Sequence, residues 1–342
     1  MADKVLVTGV SGFLGGHVAL ALLDRGYEVR GSVRRLDRAD KVRATLKAAT
    51  ASGSTDGLEF VALDLDDDDG WHAAAEGCRY LQHVASPFVT QMPADKNDLI
   101  RPAVEGTRRA LEAALGAEVE RIVLTSSFAA IGYGHARNRT EPFTEADWSQ
   151  TEGDDVSFYT ESKTRAELAA WSMMEAAGRR DDLVVINPTG ILGPLLDDDP
   201  GTSGALVKRL MDGSVPMLPK ISFGIVDVRD VAELQIKAME TPEAGGKRFI
   251  TTGGLLSLKG AADALRQALP ERAAKIPRYE LPDWLVRLIA PFNPQLRAYA
   301  GSLGIVKKID NRAGEALLGH PFVTPGEAAI AMGRSLIAQK LV

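Results

Sequence analysis

The chain has 342 residues, of which 45% are apolar and 25% charged, with 33 Gly and 17 Pro; this is ordinary globular composition, and it argues against collagen, coiled coil and extensive disorder. A formal net charge of -6, from 40 Lys and Arg against 46 Asp and Glu, offers no positive field for a nucleic-acid backbone. Cys78 is the single cysteine, which rules out an intramolecular disulfide, leaves no thiolate metal cluster and fits a reducing cytoplasm.

Met1-Ala2-Asp3-Lys4 leads straight into a β-branched run at residues 4–8, without the basic, apolar and small-residue sequence of a secretion leader. Further strands are expected at residues 29–33, 59–63, 80–85, 121–125 and 183–187, with helical periodicity at 12–25, 37–49, 97–115 and 160–177. Short apolar strands alternating with helices predict a parallel sheet covered on both faces, a doubly wound Rossmann-type α/β fold. Beyond Asn187-Pro188, the prolines 188, 194, 200, 216 and 219 break regular structure, as loops and short helices over a site would. A strand, helix and strand return is expected at 224–227, 231–240 and 248–251. Residues 1–188 and 224–251 are read as a nucleotide-binding domain, and 189–223 with 252–342 as a smaller, mostly helical substrate lobe. The stretch 281–292 is interrupted by Asp283 and Arg287 and is too short to cross a bilayer of roughly 30 Å, so no membrane association is expected.

Directly after the first strand stands Thr8-Gly9-Val10-Ser11-Gly12-Phe13-Leu14-Gly15. Glycines allow a tight turn, close approach of the backbone to a pyrophosphate and close helix packing, and the helix N-terminus favours negative charge. In this strand, turn and helix context the segment reads as a dinucleotide-binding turn. The second strand ends in Val33-Arg34-Arg35 with no acid, where a ribose 2'-hydroxyl would call for a carboxylate and a 2'-phosphate for a cation. NADP(H) is therefore the expected cofactor, with Arg34 as a planar fork and Lys41 as a point charge; solvated surface charges are the alternative. Asp64-Leu65 closes the third strand, where Asp64 can accept from an adenine amino group, and the acidic run 66–69 reads as the solvated start of a helix.

Tyr159 and Lys163 stand four apart on one helical face. A phenol near 10 is a weak acid-base group at neutral pH, and a neighbouring ammonium stabilises the phenolate. Thr125-Ser126-Ser127 ends a strand at the sheet edge where ligands sit in open α/β folds, so Ser127 can polarise a substrate carbonyl; capping is the alternative role.

The turn at 8–15, Ser32-Val33-Arg34, Asp64-Leu65, His83-Val84-Ala85-Ser86-Pro87, Thr125-Ser126-Ser127, Tyr159 to Lys163 and Asn187-Pro188-Thr189 follow one another as in the extended short-chain dehydrogenase/reductases. Over residues 4–250 the chain resembles that family, and within it the dihydroflavonol-reductase-like group that includes cinnamoyl-CoA reductases and fungal ketone and aldehyde reductases. The resemblance implies an NADPH-dependent carbonyl reductase, monomeric or homodimeric, acting on a small molecule. It implies a Ser127, Tyr159 and Lys163 triad, Lys163 on the nicotinamide ribose, Arg34 and Lys41 on the NADP phosphate, and Val84, Ala85, Ser86 and Pro188 along the cofactor. Gly132 stands where plant flavonoid reductases tend to carry the Asn or Asp that holds a catechol ring, so flavonoid specificity is not implied. Phe88, Phe128, Ile191 and Phe223 are substrate-facing candidates, each equally able to be core.

The five histidines show no metal-ligand spacing, and no metal site is expected. Cys78 reads as an ordinary thiol, and the acidic run 197–199 as an exposed loop. Rival functions are a sugar-nucleotide epimerase or dehydratase with held NAD, a hydroxysteroid dehydrogenase and a non-catalytic NADP(H)-sensing regulator.

Overall fold

The computed structural model describes residues 2–87, 93–153, 155–292 and 303–342. Seven strands build the main sheet: β1 (Lys4–Thr8), β2 (Glu28–Val33), β3 (Leu58–Ala62), β4 (Tyr80–His83), β5 (Arg121–Thr125), β6 (Leu183–Pro188) and β10 (Arg248–Thr251). All pairs are parallel, in the order β3-β2-β1-β4-β5-β6-β10. The order reverses between β1 and β4, which opens a crevice at the carboxyl ends of these strands.

Side-chain alternation decides what each face buries. Val5, Val7, Val29, Val123 and Ile186 face α1 (Phe13–Asp24) and α7 (Val228–Glu240) in one core. Leu6, Leu81, Ile122, Leu124 and Val185 face the other way, against α3 (Trp71–Ala75), α4 (Asn97–Gly116) and α5 (Phe158–Ala176). Helix α2 (Ala39–Ala49) follows the end of β2.

Beyond Pro188 a second core forms. A small sheet of β7 (Gly190–Leu192), β9 (Ser222–Asp227) and β11 (Gly254–Ser257), with β9 central, packs beside α6 (Gly201–Met211), α8 (Leu258–Ala268) and the last helix, α11 (Pro325–Ala338). Strands β8 (Leu218–Pro219) and β12 (Glu280–Leu281) make a two-stranded pair, and α9 (Asp283–Ile289) follows. No helix among the described residues is long and apolar enough to cross a membrane.

Three expectations change. The return of strand, helix and strand is split between sheets, because β9 pairs with β7 and β11 while β10 alone joins β6; an apolar run specifies a strand but not its partner. Strand β4 stops at His83 instead of residue 85, since the Val84 and Ala85 amides donate to the Thr8 hydroxyl. The acidic run 66–69 precedes its helix by a left-handed Gly70, φ +81°, and α3 starts at Trp71, whose indole N–H donates to the Asp64 and Asp67 carbonyls. In the tail, α10 (Arg312–Leu318) packs on α7, and Leu318 and Phe322 enter the first core.

Candidate active site

The glycine turn is closed by its own backbone. Gly9 is left-handed, φ +73°, and a Cβ there would lie 3.1 Å from the Ala85 Cα; a Cβ on Gly15 would lie 2.2 Å from the Gly9 carbonyl oxygen. The Gly12 N–H donates to the Gly9 carbonyl at 3.0 Å, and the Gly9 N–H to the Ser32 hydroxyl at 3.0 Å. Gly12 N-caps α1 with no side chain of its own, so the first amides of the helix point at the crevice with the dipole behind them. Leu14 is buried in the first core; Phe13 touches both cores and meets His17 edge-on at 5.6 Å. Phe13 and Leu14 therefore bring only backbone to the turn.

Thr8 ties the two strands at the switch point. Its hydroxyl accepts from the Val84 and Ala85 amides at 3.0 and 2.9 Å and lies 3.0 Å from His83 Nδ1. With two donors already on the oxygen, its own proton goes to Nδ1, which leaves the imidazole proton on Nε2. Burial, helped by the Lys163 ammonium, pushes His83 down to about 3, so the ring is neutral. The amides of Val84 and Ala85 are thus spent on Thr8. Ser86 lines a pocket together with Lys163, His83, Thr125, Ser126 and Glu167. Leu65 lines the same pocket and packs so closely on Gly106 that a Cβ there would lie 2.6 Å away.

At the end of β2, Arg34 is 72% exposed and its Nε lies 3.8 Å from Asp64. Asp64 also accepts from the Asp66 amide at 3.0 Å. Lys41 pairs with Asp198 and stands 3.8 Å from Asp197, so the acidic run is a partner of α2 and not merely a free loop. The hydrogen bond to Asp198 raises the Lys41 pKa, and the same contact lowers that of Asp198.

Ser157 caps α5 by accepting from the Thr160 amide at 3.1 Å. This start, two residues before the predicted one, puts Tyr159 inside the helix; Tyr159 is 39% exposed, Lys163 only 8%, and the Lys163 ammonium lies 6.0 Å from the Tyr159 ring centre. Ser127 leaves β5 as the cap of a single turn at Phe128–Ala130, accepting from the Ala129 amide at 3.1 Å and donating to the Pro188 carbonyl at 3.5 Å. That turn packs on α5, which brings the serine, tyrosine and lysine segments together.

The substrate-facing candidates separate. Phe128 is buried with Ile131, Phe143 and Ile250, and its ring covers Gly132 so closely that a Cβ there would lie 2.3 Å from it. Ile191 packs beside the first core and Phe223 beside the second. Phe88 lies outside the described residues. Among the described residues no group of three or more His, Cys, Asp or Glu is gathered for a metal. Cys78 is buried, and that burial raises its thiol pKa.

Residue patterning missed a buried polar network. The Glu167 carboxylate accepts from the Ser126 hydroxyl at 2.5 Å, the Asn187 amide at 2.8 Å, Arg248 Nε at 2.6 Å and the Trp171 indole at 3.3 Å. The spacing of four that relates Tyr159 to Lys163 also relates Lys163 to Glu167, and it was the signal available for finding it.

The sequence matches the NAD dependent epimerase/dehydratase family over residues 5–251. The chain belongs to that family. Its relatives carry the resemblance seen in the motifs, to the extended short-chain dehydrogenase/reductases. Ketoreductase azaE of Aspergillus niger is 34% identical over 312 residues, 86% of this chain and 90% of that one. Cinnamoyl-CoA reductase 1 of Oryza sativa is 36% identical over 272 residues, 79% and 77% of the two chains. Among solved structures, yeast methylglyoxal/isovaleraldehyde reductase Gre2 complexed with NADPH superposes with a TM-score of 0.80 at 26% identity, covering 99% of this chain and 100% of that one.

Proposed function

We propose that this family member is an NADPH-dependent reductase of aldehydes or ketones, in which Tyr159 is the general acid, Ser127 orients the carbonyl oxygen and Lys163 tunes the tyrosine. The observation that carries the reading is the packing of the Ser127 turn on the helix of Tyr159 and Lys163, at the carboxyl ends of the sheet. The reductase names of the relatives and the NADPH bound to Gre2 support it.

The residues present fit NADPH. A glycine turn whose missing side chains are sterically required, above an uncapped helix start, suits a pyrophosphate, and Arg34 at the end of β2 suits a 2'-phosphate. Thr8, Gly9, Gly12 and Gly15 would shape the turn, Arg34 and Lys41 would hold the phosphate, Asp64 the adenine edge, and Lys163 the ribose beside the nicotinamide. When bound, the cofactor supplies a hydride to the carbonyl carbon. Tyr159 gives its phenolic proton to the oxygen as negative charge develops there, and the Lys163 ammonium lowers the cost of the phenolate left behind. The half-exposed Tyr159 is reachable by substrate, while Lys163 is held beneath it, away from bulk water. We assign residues 1–188 and 224–251 to cofactor binding, and residues 189–223 and 252–342, which supply most of the second core, to covering the substrate.

Tyr159→Phe is the test, with NADPH absorbance followed over a panel of aldehydes, ketones, diketones and keto esters. Turnover is expected to fall at least ~100-fold while NADPH binding, read by fluorescence, is retained. Wild-type turnover in this variant would remove the proposed proton donor.

A further inference from the structure

We propose that Glu167 is a positioning residue for this reaction: through Ser126 and Asn187 its carboxylate locks the Ser127 segment to the helix that carries Tyr159 and Lys163. The inference rests on the assignment of proton transfer to that triad. Glu167 lies one helical turn beyond Lys163 on α5 and is wholly buried, as is Asn187 on β6. One carboxylate oxygen receives the Ser126 hydroxyl at 2.5 Å and the Asn187 amide at 2.8 Å, and the same amide also donates to the Ser127 carbonyl at 3.2 Å. Two short links therefore run from Glu167 to the residue before Ser127 and to the backbone of Ser127 itself.

The second carboxylate oxygen receives Arg248 Nε at 2.6 Å from β10 and the Trp171 indole at 3.3 Å. Arg248 in turn donates to the Glu145 and Asp147 carbonyls at 2.8 and 2.7 Å, with its guanidinium over the Trp148 ring at 3.8 Å. A buried ion pair is a poor means of stabilisation, because desolvation offsets most of its attraction. What this one does is geometric: a single group fixes α5, β6, β10 and the end of β5 against each other where the triad is assembled. Ser126 and Glu167 line one pocket together with Lys163, so the lock adjoins the lysine of the triad. Displacements near 1 Å are enough to cost a large share of a rate that depends on alignment.

Ser126→Ala removes one link and leaves the ion pair intact; Glu167→Gln removes the charge and keeps the shape. Both are measured in the full chain with NADPH and the panel carbonyl that wild type turns over fastest, beside Tyr159→Phe. The expected result for Ser126→Ala is a fall in kcat of about tenfold or more, with KM and the NADPH Kd within about twofold of wild type and a melting temperature lowered by only a few degrees. Glu167→Gln is expected to lower kcat further and the melting temperature as well; if it does not fold, Ser126→Ala decides alone. Wild-type kcat in Ser126→Ala, or a loss confined to KM, with Tyr159→Phe inactive, overturns the positioning role and leaves the triad standing. A fully active Tyr159→Phe would instead overturn the triad, and the positioning role with it.

Discussion

His83 is neutral because burial, aided by the Lys163 ammonium, holds its imidazole at about 3, against roughly 6.5 in an unfolded chain. Between these values the unfolded chain binds a proton that the folded chain refuses. The contribution to stability is complete above about pH 6.5 and is lost as pH falls toward 3. By pH 5 the loss amounts to ~2 kcal/mol, and His17, lowered chiefly by its own burial, adds in the same direction. Urea unfolding at pH 7 and pH 5 measures this: His83→Gln should lose stability at pH 7 yet show a shallower dependence on pH, and an unchanged slope would reject the assignment. At the rim, Arg34 is poised for a second kind of test. Removing a charge-assisted bidentate partner costs ~1.5–3 kcal/mol, so Arg34→Ala should weaken NADPH binding by about ten- to a hundredfold and leave NADH unaffected. Equal losses for the two cofactors would place Arg34 elsewhere than on the 2'-phosphate.

The contact between Lys41, at the start of α2, and the acidic loop before α6 joins two elements distant in sequence. Both partners are largely exposed, with Lys41 49% and Asp198 62% accessible, so the pair adds little to stability. Its consequence lies in binding, because Asp198 engages the cation assigned to the cofactor phosphate. Asp198→Ala should leave the melting temperature within about a degree and tighten NADPH binding by about two- to fivefold. The gain should vanish in a Lys41→Ala background. A weaker affinity for NADPH would show instead that the loop supports the cofactor site.

The last helix and the glycine turn belong to different cores. Leu336 and Met332 on α11 are wholly buried in the second, against Leu265 and Met211, while the glycine turn rests on the first. Leu336→Ala creates a cavity in the second core and should cost ~2–5 kcal/mol in urea unfolding, with NADPH affinity little changed in the folded protein. A parallel loss of affinity would mean that the second core is coupled to the cofactor crevice.

The sequence by itself determined the parallel sheet, the glycine turn, the missing acid at the end of β2, and the shared face of Tyr159 and Lys163. Each is a local property: apolar runs of strand length, glycines at fixed spacing, a period near 3.6. Tertiary structure alone decided which strands pair, so that β9 left the main sheet while β10 joined it. It also decided where side chains without a local pattern go. Phe128 enters a core against Gly132, and Asp198 crosses to Lys41. Ser126, Glu167, Asn187 and Arg248 are brought together from four elements. Hydrogen bonds between residues far apart in the chain leave no periodic trace; they exist only once the sheet has closed and burial makes an unpaired polar group costly.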